Sequence, residues 1–232
     1  MKTYISLLSS LFIYVMALGC FRSDDHANNG HLPEPSQKIL VGIAYDISGS
    51  VHQWPAPDTM ALRDLAIYVG LRCGVIAVGH ISDSSYQPLR TYDNLCLDTA
   101  AVQGSLTDKA RIIRENKRKK AWFKQNLERF LLDVKQHVLV PRNKRRTDIA
   151  GSMNRFSILF QEPNYVDYEK ILIILSDGFD TVNASFGEIP DVKIFLIGWR
   201  NGPLARKLFG NTFVRFESFS GAVKYILNMN KG

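Results

Sequence analysis

The chain has little cysteine, three in 232 residues. A disulfide framework therefore cannot stand in for an apolar core, as it does in small secreted scaffolds. It has no Gly-x-Ser-x-Gly elbow, no phosphate loop and no His-Glu-x-x-His helix, so three common ways of building a hydrolase or nucleotidase are missing. The five histidines, His26, His31, His52, His80 and His137, lack metal-ligand spacing. With no catalytic constellation, an enzyme is not expected. His80 is expected to end a strand as a solvated rim residue, and Trp54 either borders a ligand or packs in its loop. No internal repeat is evident. What is present is ordinary for a globular protein: 46% apolar, 11% aromatic and 22% charged residues, near the average for folded domains. The length suits one domain with appendages.

The N-terminus reads differently from the rest. Lys2 is followed by an uncharged apolar run, Tyr4 to Leu18, too short for the roughly 20 residues that span a bilayer and fitting the h-region of an export signal. Ala17-Leu18-Gly19-Cys20 resembles a bacterial lipobox, with Ala17 and Leu18 in the reverse of the usual order. That resemblance implies a signal peptide over 1–19, a lipidated Cys20, and a protein anchored at the periplasmic face or the cell surface of a bacterial membrane; an ordinary secretory signal is the alternative. Residues 20–37, with Asn28-Asn29-Gly30 and Pro33-Glu34-Pro35, read as a flexible tether. Within it, Ser23-Asp24-Asp25 resembles the surface-export signals of Bacteroidetes lipoproteins.

From Lys38 onward the pattern is that of a folded domain, 38–232. The continuous apolar run Ile39 to Tyr45 predicts a strand buried on both faces. Helical spacing follows over Asp58 to Leu71, then strands over Val75 to Ile81 and, at a sheet edge, around Pro88 to Tyr92. Apolar positions recurring at three and four predict a long helix from about Ala121 to Val138, and a shorter one after Asp148. Strands return at Ile171 to Leu175, Val192 to Ile197 and Phe213 to Phe216, before a last helix from Ser220 to Asn230. This alternation predicts a doubly wound α/β fold, with a mostly parallel sheet and helices on both faces.

In such sheets ligands bind beyond the carboxyl ends of the strands, and two predicted strands end there in aspartate: Asp46-Ile47-Ser48-Gly49-Ser50 and Ser176-Asp177-Gly178. Carboxylates and hydroxyls on tight turns offer only oxygen, which suits Mg2+, Mn2+ or Ca2+. Together with Arg146-Thr147-Asp148-Ile149, these motifs resemble the metal-ion-dependent adhesion site of von Willebrand factor A domains, over about Lys38 to Asn230. The resemblance implies a metal held by Asp46, Ser48, Ser50, Thr147 and Asp177, with one coordination position open to an Asp or Glu of a protein partner. It also implies one antiparallel edge strand. The stretch between Ser50 and Thr147 is longer than the family usually has, the excess falling around Ser105 to Arg146. An antiparallel strand near Leu89 to Tyr92 would return the chain to the end where Cys73 lies, so that Cys96 could pair with it; the residues by themselves leave two buried free thiols open.

Charge is concentrated. From Thr107 to Arg146 there are fourteen Lys or Arg and four Asp or Glu, so this segment carries +10 within a chain of net +7. It forms a basic helical elaboration at about 105–146. A solvated helix face is the plain reading. The functional one is an anion-binding rim, Arg142, Lys144, Arg145 and Arg146, drawing an acidic protein, an anionic polymer or lipid toward the metal; nucleic acid is not expected outside the cytosol. Three functions compete: a membrane-anchored metal-dependent binding module, a tethered scaffold subunit using the basic helix with a structural metal, and, disfavoured for want of a general base, a metal-dependent hydrolase. The lipobox reading is tested directly: Cys20→Ser is expected to turn a membrane-bound protein into a soluble exported one, and mass spectrometry finding an unmodified N-terminus beyond Cys20 would refute it.

Overall fold

Each residue of Ile39–Asp46 is buried, and so is each residue of Val75–Ile81. Strands without polar-apolar alternation need a cover on both faces, and that requirement dictates the layers. The computed structural model describes residues 37–48, 58–83, 87–138, 146–182, 189 and 191–229. They form β1 (Ile39–Asp46), α1 (Thr59–Leu71), β2 (Val75–Ile81), β3 (Arg90–Tyr92), α2 (Leu106–Asp133, continued by a wider turn to Val138), α3 (Ile149–Phe160), β4 (Glu169–Leu175), β5 (Val192–Ile197), α4 (Gly202–Phe209), β6 (Phe213–Phe216) and α5 (Phe219–Asn228). The strands lie in the order β3-β2-β1-β4-β5-β6. All neighbours are parallel except β3, which runs antiparallel to β2. The fold is thus the doubly wound α/β class expected, with an antiparallel edge strand.

Alternate residues of β1 feed two cores. Ile39, Val41, Ile43 and Tyr45 face α1, the second half of α2, and α5. Leu40 and Ala44 face α3 and α4. Gly42 sits on this second face, where a Cβ would lie 2.8 Å from the Phe156 ring; its missing side chain is what lets fully buried Phe156 lie against the strand.

Two helices differ from expectation. α2 starts at Leu106, well before Ala121. Ser105 caps it, accepting from the Asp108 N–H at 3.2 Å while its hydroxyl donates to Asp108 at 2.7 Å, which satisfies an otherwise orphaned donor. Apolar periodicity begins only at Phe123 because no residue from 106 to 122 is buried. α4 was not expected at all. It buries only Ala205 and Phe209, and its signal is local: the Asn201 side chain accepts from the Leu204 N–H at 3.1 Å, with Pro203 in the first turn, where its missing N–H costs nothing. Among the described residues, no helix is long and apolar enough to cross a membrane.

At the amino ends of the strands, the chain after β3 packs against the end of α1. Leu97 N–H donates to Gly70 O at 2.8 Å, and a Cβ on Gly70 would lie 2.3 Å from the Leu95 carbonyl. α1 closes through Cys73 N–H to Gly70 O and Gly74 N–H to Val69 O, with Cys73 in the left-handed region at φ 47°. Cys73 and Cys96 are joined by a disulfide, 23 residues apart in sequence. A loop of that size is worth about 3 kcal/mol in the chain-entropy model. Replacing both cysteines by serine is therefore expected to lower the melting temperature by roughly 6–12 °C for a domain of this length; calorimetry showing an unchanged midpoint would contradict it.

Candidate metal centre

β1 lies between β2 and β4, so the chain departs to opposite sides from neighbouring strand ends and a crevice opens at their carboxyl ends. Asp46 closes β1 there. Tyr45 is in register with Leu175, which brings Ser176, the residue after β4, beside Asp46. The Ser176 hydroxyl donates to Asp46 Oδ2 at 2.7 Å, and the Ser48 N–H donates to Oδ1 at 2.8 Å. Both carboxylate oxygens are thereby aimed. Asp46 is 1% exposed. Burial raises its pKa above the usual carboxylate value, and the negative charge of Asp177 raises it further, against the hydrogen bonds from Ser176 and Ser48.

Asp177 is set by its own turn. The Phe179 N–H donates to Asp177 Oδ1 at 3.1 Å, the Gly178 N–H to Ser176 Oγ at 3.1 Å, and the Arg200 N–H to the Asp177 carbonyl at 2.9 Å. Gly178 has φ 80°, and a Cβ there would lie 2.5 Å from the Trp199 indole. Only glycine meets both conditions. Trp199 is itself fixed, its Nε1–H donating to the Asn201 carbonyl at 2.7 Å.

Thr147 reaches the same end of the sheet through a clamp of loops. Its N–H donates to Thr181 Oγ1 at 2.8 Å, and the Thr181 N–H returns to the Thr147 carbonyl at 3.0 Å. The Asp148 N–H donates to the Ser82 carbonyl, just past β2, at 2.9 Å, while its carboxylate caps α3 through the Gly151 N–H at 2.8 Å. Arg155 on α3 donates to the carbonyls of Gln87 and His80 and to Ser152 Oγ, pinning the chain after β2 to the helix that starts at Thr147. Burial lowers the Arg155 pKa, and Asp148 opposes that.

Asp46, Ser48, Thr147 and Asp177 are therefore buried together at the carboxyl end of the sheet, at 1%, 4%, 3% and 6% exposure. Ser50, like His52 and Trp54, lies outside the described residues, as do Cys20, Arg142, Lys144 and Arg145. Arg146 is exposed beside Thr147. His80 corrects an expectation. It is a buried residue of β2 with Nδ1 3.3 Å from Gln87 Oε1, because α3 and Arg155 close over that strand end. Sequence reasoning assigned no role to Ser176, Thr181 or Trp199; adjacency to Asp177 was the available signal for Ser176, and the other two follow only from loop contacts.

Among the described residues, no ion pair engages Asp46 or Asp177, and no group of three or more His, Cys, Asp or Glu could hold a metal. The donors gathered here are two carboxylates and neutral hydroxyls. Hard oxygens of this kind fit Mg2+, Mn2+ or Ca2+ and would not retain a soft ion.

No protein-family model and no curated protein matches the chain. Among solved structures, proximal thread matrix protein 1 of the mussel byssus aligns at 16% identity and TM-score 0.42, over 82% of this chain and 46% of its own; the chain thus spans under half the length of that protein. One structure of the mussel protein, at TM-score 0.41, has a zinc-occupied MIDAS motif. The pilus adhesin SpaC of Lactobacillus rhamnosus GG aligns at 11% identity and TM-score 0.45, over 84% of this chain and 30% of its own. An aerotolerance-related membrane protein of Bacteroides fragilis aligns at 13% identity and TM-score 0.43, over 84% of this chain and 100% of its own.

Ser176 offers a test of the site's internal support. Ser176→Ala deletes the donor to a buried carboxylate oxygen, and an oxygen left without its donor costs about 1–3 kcal/mol. Urea unfolding is expected to give a stability lower by that amount at neutral pH, read as a lower midpoint at an unchanged denaturant slope; a midpoint equal to that of the unsubstituted chain would mean that Asp46 does not depend on this bond.

Proposed function

We propose that this protein is a divalent-metal-dependent binding module without turnover, exported and held at a membrane through Cys20. In this reading Asp46, Ser48, Ser50, Thr147 and Asp177 hold Mg2+, or Mn2+ or Ca2+ in its place, and the partner is a protein presenting an Asp or Glu. The observation that supports it most is the pairing of Asp46 with Asp177. Two carboxylates are buried at the switch point of the sheet, and hydroxyls and backbone N–H groups are their only described partners. Two like charges withdrawn from water are costly together, and a divalent cation between them removes the repulsion.

The choice of hydroxyls over further carboxylates bears on what the site does. Two carboxylates neutralise a divalent ion only formally, and neutral hydroxyls leave its attraction for a third carboxylate largely intact. A bound cation supplies a positive centre with a position open to that carboxylate. The chain's own residues do the rest: Ser176 and Ser48 aim Asp46, Gly178 over Trp199 places Asp177, and the Thr147–Thr181 clamp sets the threonine. Exposed Phe179, directly after Gly178, adds an apolar surface at the rim against which a partner's side chains can pack.

Titration calorimetry on the full chain with Mg2+ and Mn2+ is expected to show one site, weakened at least about tenfold by Asp46→Ala or Asp177→Ala, with the sheet's circular dichroism preserved; loss of one ligand or its orienting partner commonly costs on the order of 10–100-fold in affinity. Ser48→Ala is expected to abolish metal-dependent capture of the partner. If the unsubstituted chain takes up neither ion at millimolar concentration, the reading fails.

A further inference from the structure

We infer that the first half of α2 is a docking surface for an anionic phospholipid bilayer, with Arg111, Arg114, Lys117 and Arg118 meeting lipid phosphates and Trp122 lying among the headgroups.

The placement follows from contacts. α2 has 28 residues, about 42 Å at 1.5 Å per residue, but only its second half is packed, through Phe123, Asn126, Leu127, Phe130 and Leu131. Phe123 touches the Gly70 end of α1, which marks the amino end of the sheet. The turns before it run on past that end. Among the described residues, they are anchored by Asn116, whose amide accepts from the Ala100 N–H at 3.0 Å and donates to the Ala100 carbonyl at 2.7 Å, and by Lys119, paired to Asp98 at 3.3 Å. Asn116 therefore fixes the inward face. Arg111, Arg114 and Arg118 recur at three and four on the other side, which makes them one outward ridge.

The charges on that ridge are available. Among the described residues, no ion pair engages Arg114, Lys117 or Arg118, and the pair Arg111 makes with Asp108 is long, 3.6 Å, with both side chains at least half exposed. The helix carries nine Lys or Arg against four Asp or Glu, and two of the four, Glu128 and Asp133, are occupied by Arg63 and Arg90. An aromatic side chain lies on the same ridge: Trp122 is 49% exposed.

A bilayer suits this surface better than a folded partner. The ridge carries an open depression in which Asp108 and Glu115 lie beside Arg111, Arg114 and Arg118, so an acidic side chain entering it would meet carboxylates, whereas a fluid headgroup layer brings a phosphate to each outward guanidinium, whose planar fork matches it. Tryptophan favours that interface, where its ring meets apolar chains and its N–H stays among polar groups. Basic and aromatic residues together on one helix are the composition of interfacial helices. β1 begins at this same end, Ile39 lying against Gly74. The ridge of α2 would engage a membrane with the candidate metal centre at the far end of the sheet.

The test uses the chain from Phe21 onward, which keeps every described residue and lacks both the apolar run Tyr4 to Leu18 and the proposed lipid-bearing Cys20, and vesicles of phosphatidylcholine alone or with about a third phosphatidylglycerol. Each basic residue near an anionic surface strengthens binding about fivefold, so partitioning is expected to favour the anionic vesicles by on the order of a hundredfold or more at low salt, and to lose most of that preference at high salt. Arg111→Gln, Arg114→Gln and Arg118→Gln together are expected to remove about a hundredfold of it. Brominated acyl chains are expected to quench tryptophan emission in the anionic vesicles only, and Trp122→Phe to remove that quenching. Equal partitioning into both vesicles overturns the proposal, as does a triple variant that keeps the preference. Tight binding to soluble polyglutamate or heparin without vesicle binding also overturns it, in favour of a polyanion or acidic protein. The substituted side chains are exposed, and an unchanged melting temperature verifies folding. Asp46→Ala is expected to leave the preference intact, so this result and the metal result fail independently.

Discussion

β1 has a strand on each edge and helices on each face, and each residue of it is buried. Its last residue is an aspartate. A carboxylate carried to the end of such a strand has few choices: it can lose its charge, pair with a base or be met by fixed dipoles and a cation. Ser176 and the Ser48 N–H supply the dipoles, and each comes from a segment whose position follows from β1 itself. Ser176 arrives because β4 is in register with β1; Ser48 arrives because the Ile47 N–H is held by the Ile81 carbonyl on β2. The remaining parts of the site depend on these two neighbours. The turn of Asp177 continues from Ser176, and the loop of Thr147 is clamped to the residue after β2 and to Thr181 beyond β4.

How much of this the sequence discloses follows from which signals are local. Continuous apolar runs marked β1, β2, β4 and β5, because a strand covered on both faces must be apolar at each position, and the aspartates at their ends stood out against that background. The first half of α2 did not, since an exposed helix has no apolar period and only the Ser105 and Asp108 pair announces it. α4 was hidden for a related reason, burying two residues in eight. His80 was read by its position at a strand end, whereas its burial depends on α3, a helix 72 residues away in sequence at its contact with Ser152. Ser176 and Trp199 belong to the same class. Their roles come from strand register and loop packing, which no pattern in the chain expresses.

The sheet separates the molecule's chemistry into two ends. At the amino ends of the strands lie the Cys73–Cys96 disulfide, the Leu97 to Gly70 hydrogen bond, the start of β1 and the protruding half of α2. At the carboxyl ends lie the paired aspartates and the threonine clamp. The disulfide is placed where α2 needs support. The segment from β3 to α2 carries Asp98 and Ala100, which hold Lys119 and Asn116, and the covalent link fixes that segment to the end of α1. A basic helix that repels itself over several turns thus starts from a braced base.

Charge is unevenly distributed along the chain. The segment from Thr107 to Arg146 carries +10 of a total of +7, so the rest of the chain is net negative, by the difference of 3. Screening at physiological salt falls off over about 8 Å, far less than the length of a seven-residue strand at about 3.3 Å per residue. The cationic turns of α2 therefore cannot neutralise the buried aspartates, nor can those aspartates weaken the attraction of α2 for an anionic surface. Arg146 alone among the described basic residues of that segment adjoins a site residue, Thr147, and it is exposed. Among the described residues, Asp46 and Asp177 are met by hydroxyls and backbone N–H groups alone, so what holds them is the set of fixed dipoles that the strand register and the turns supply.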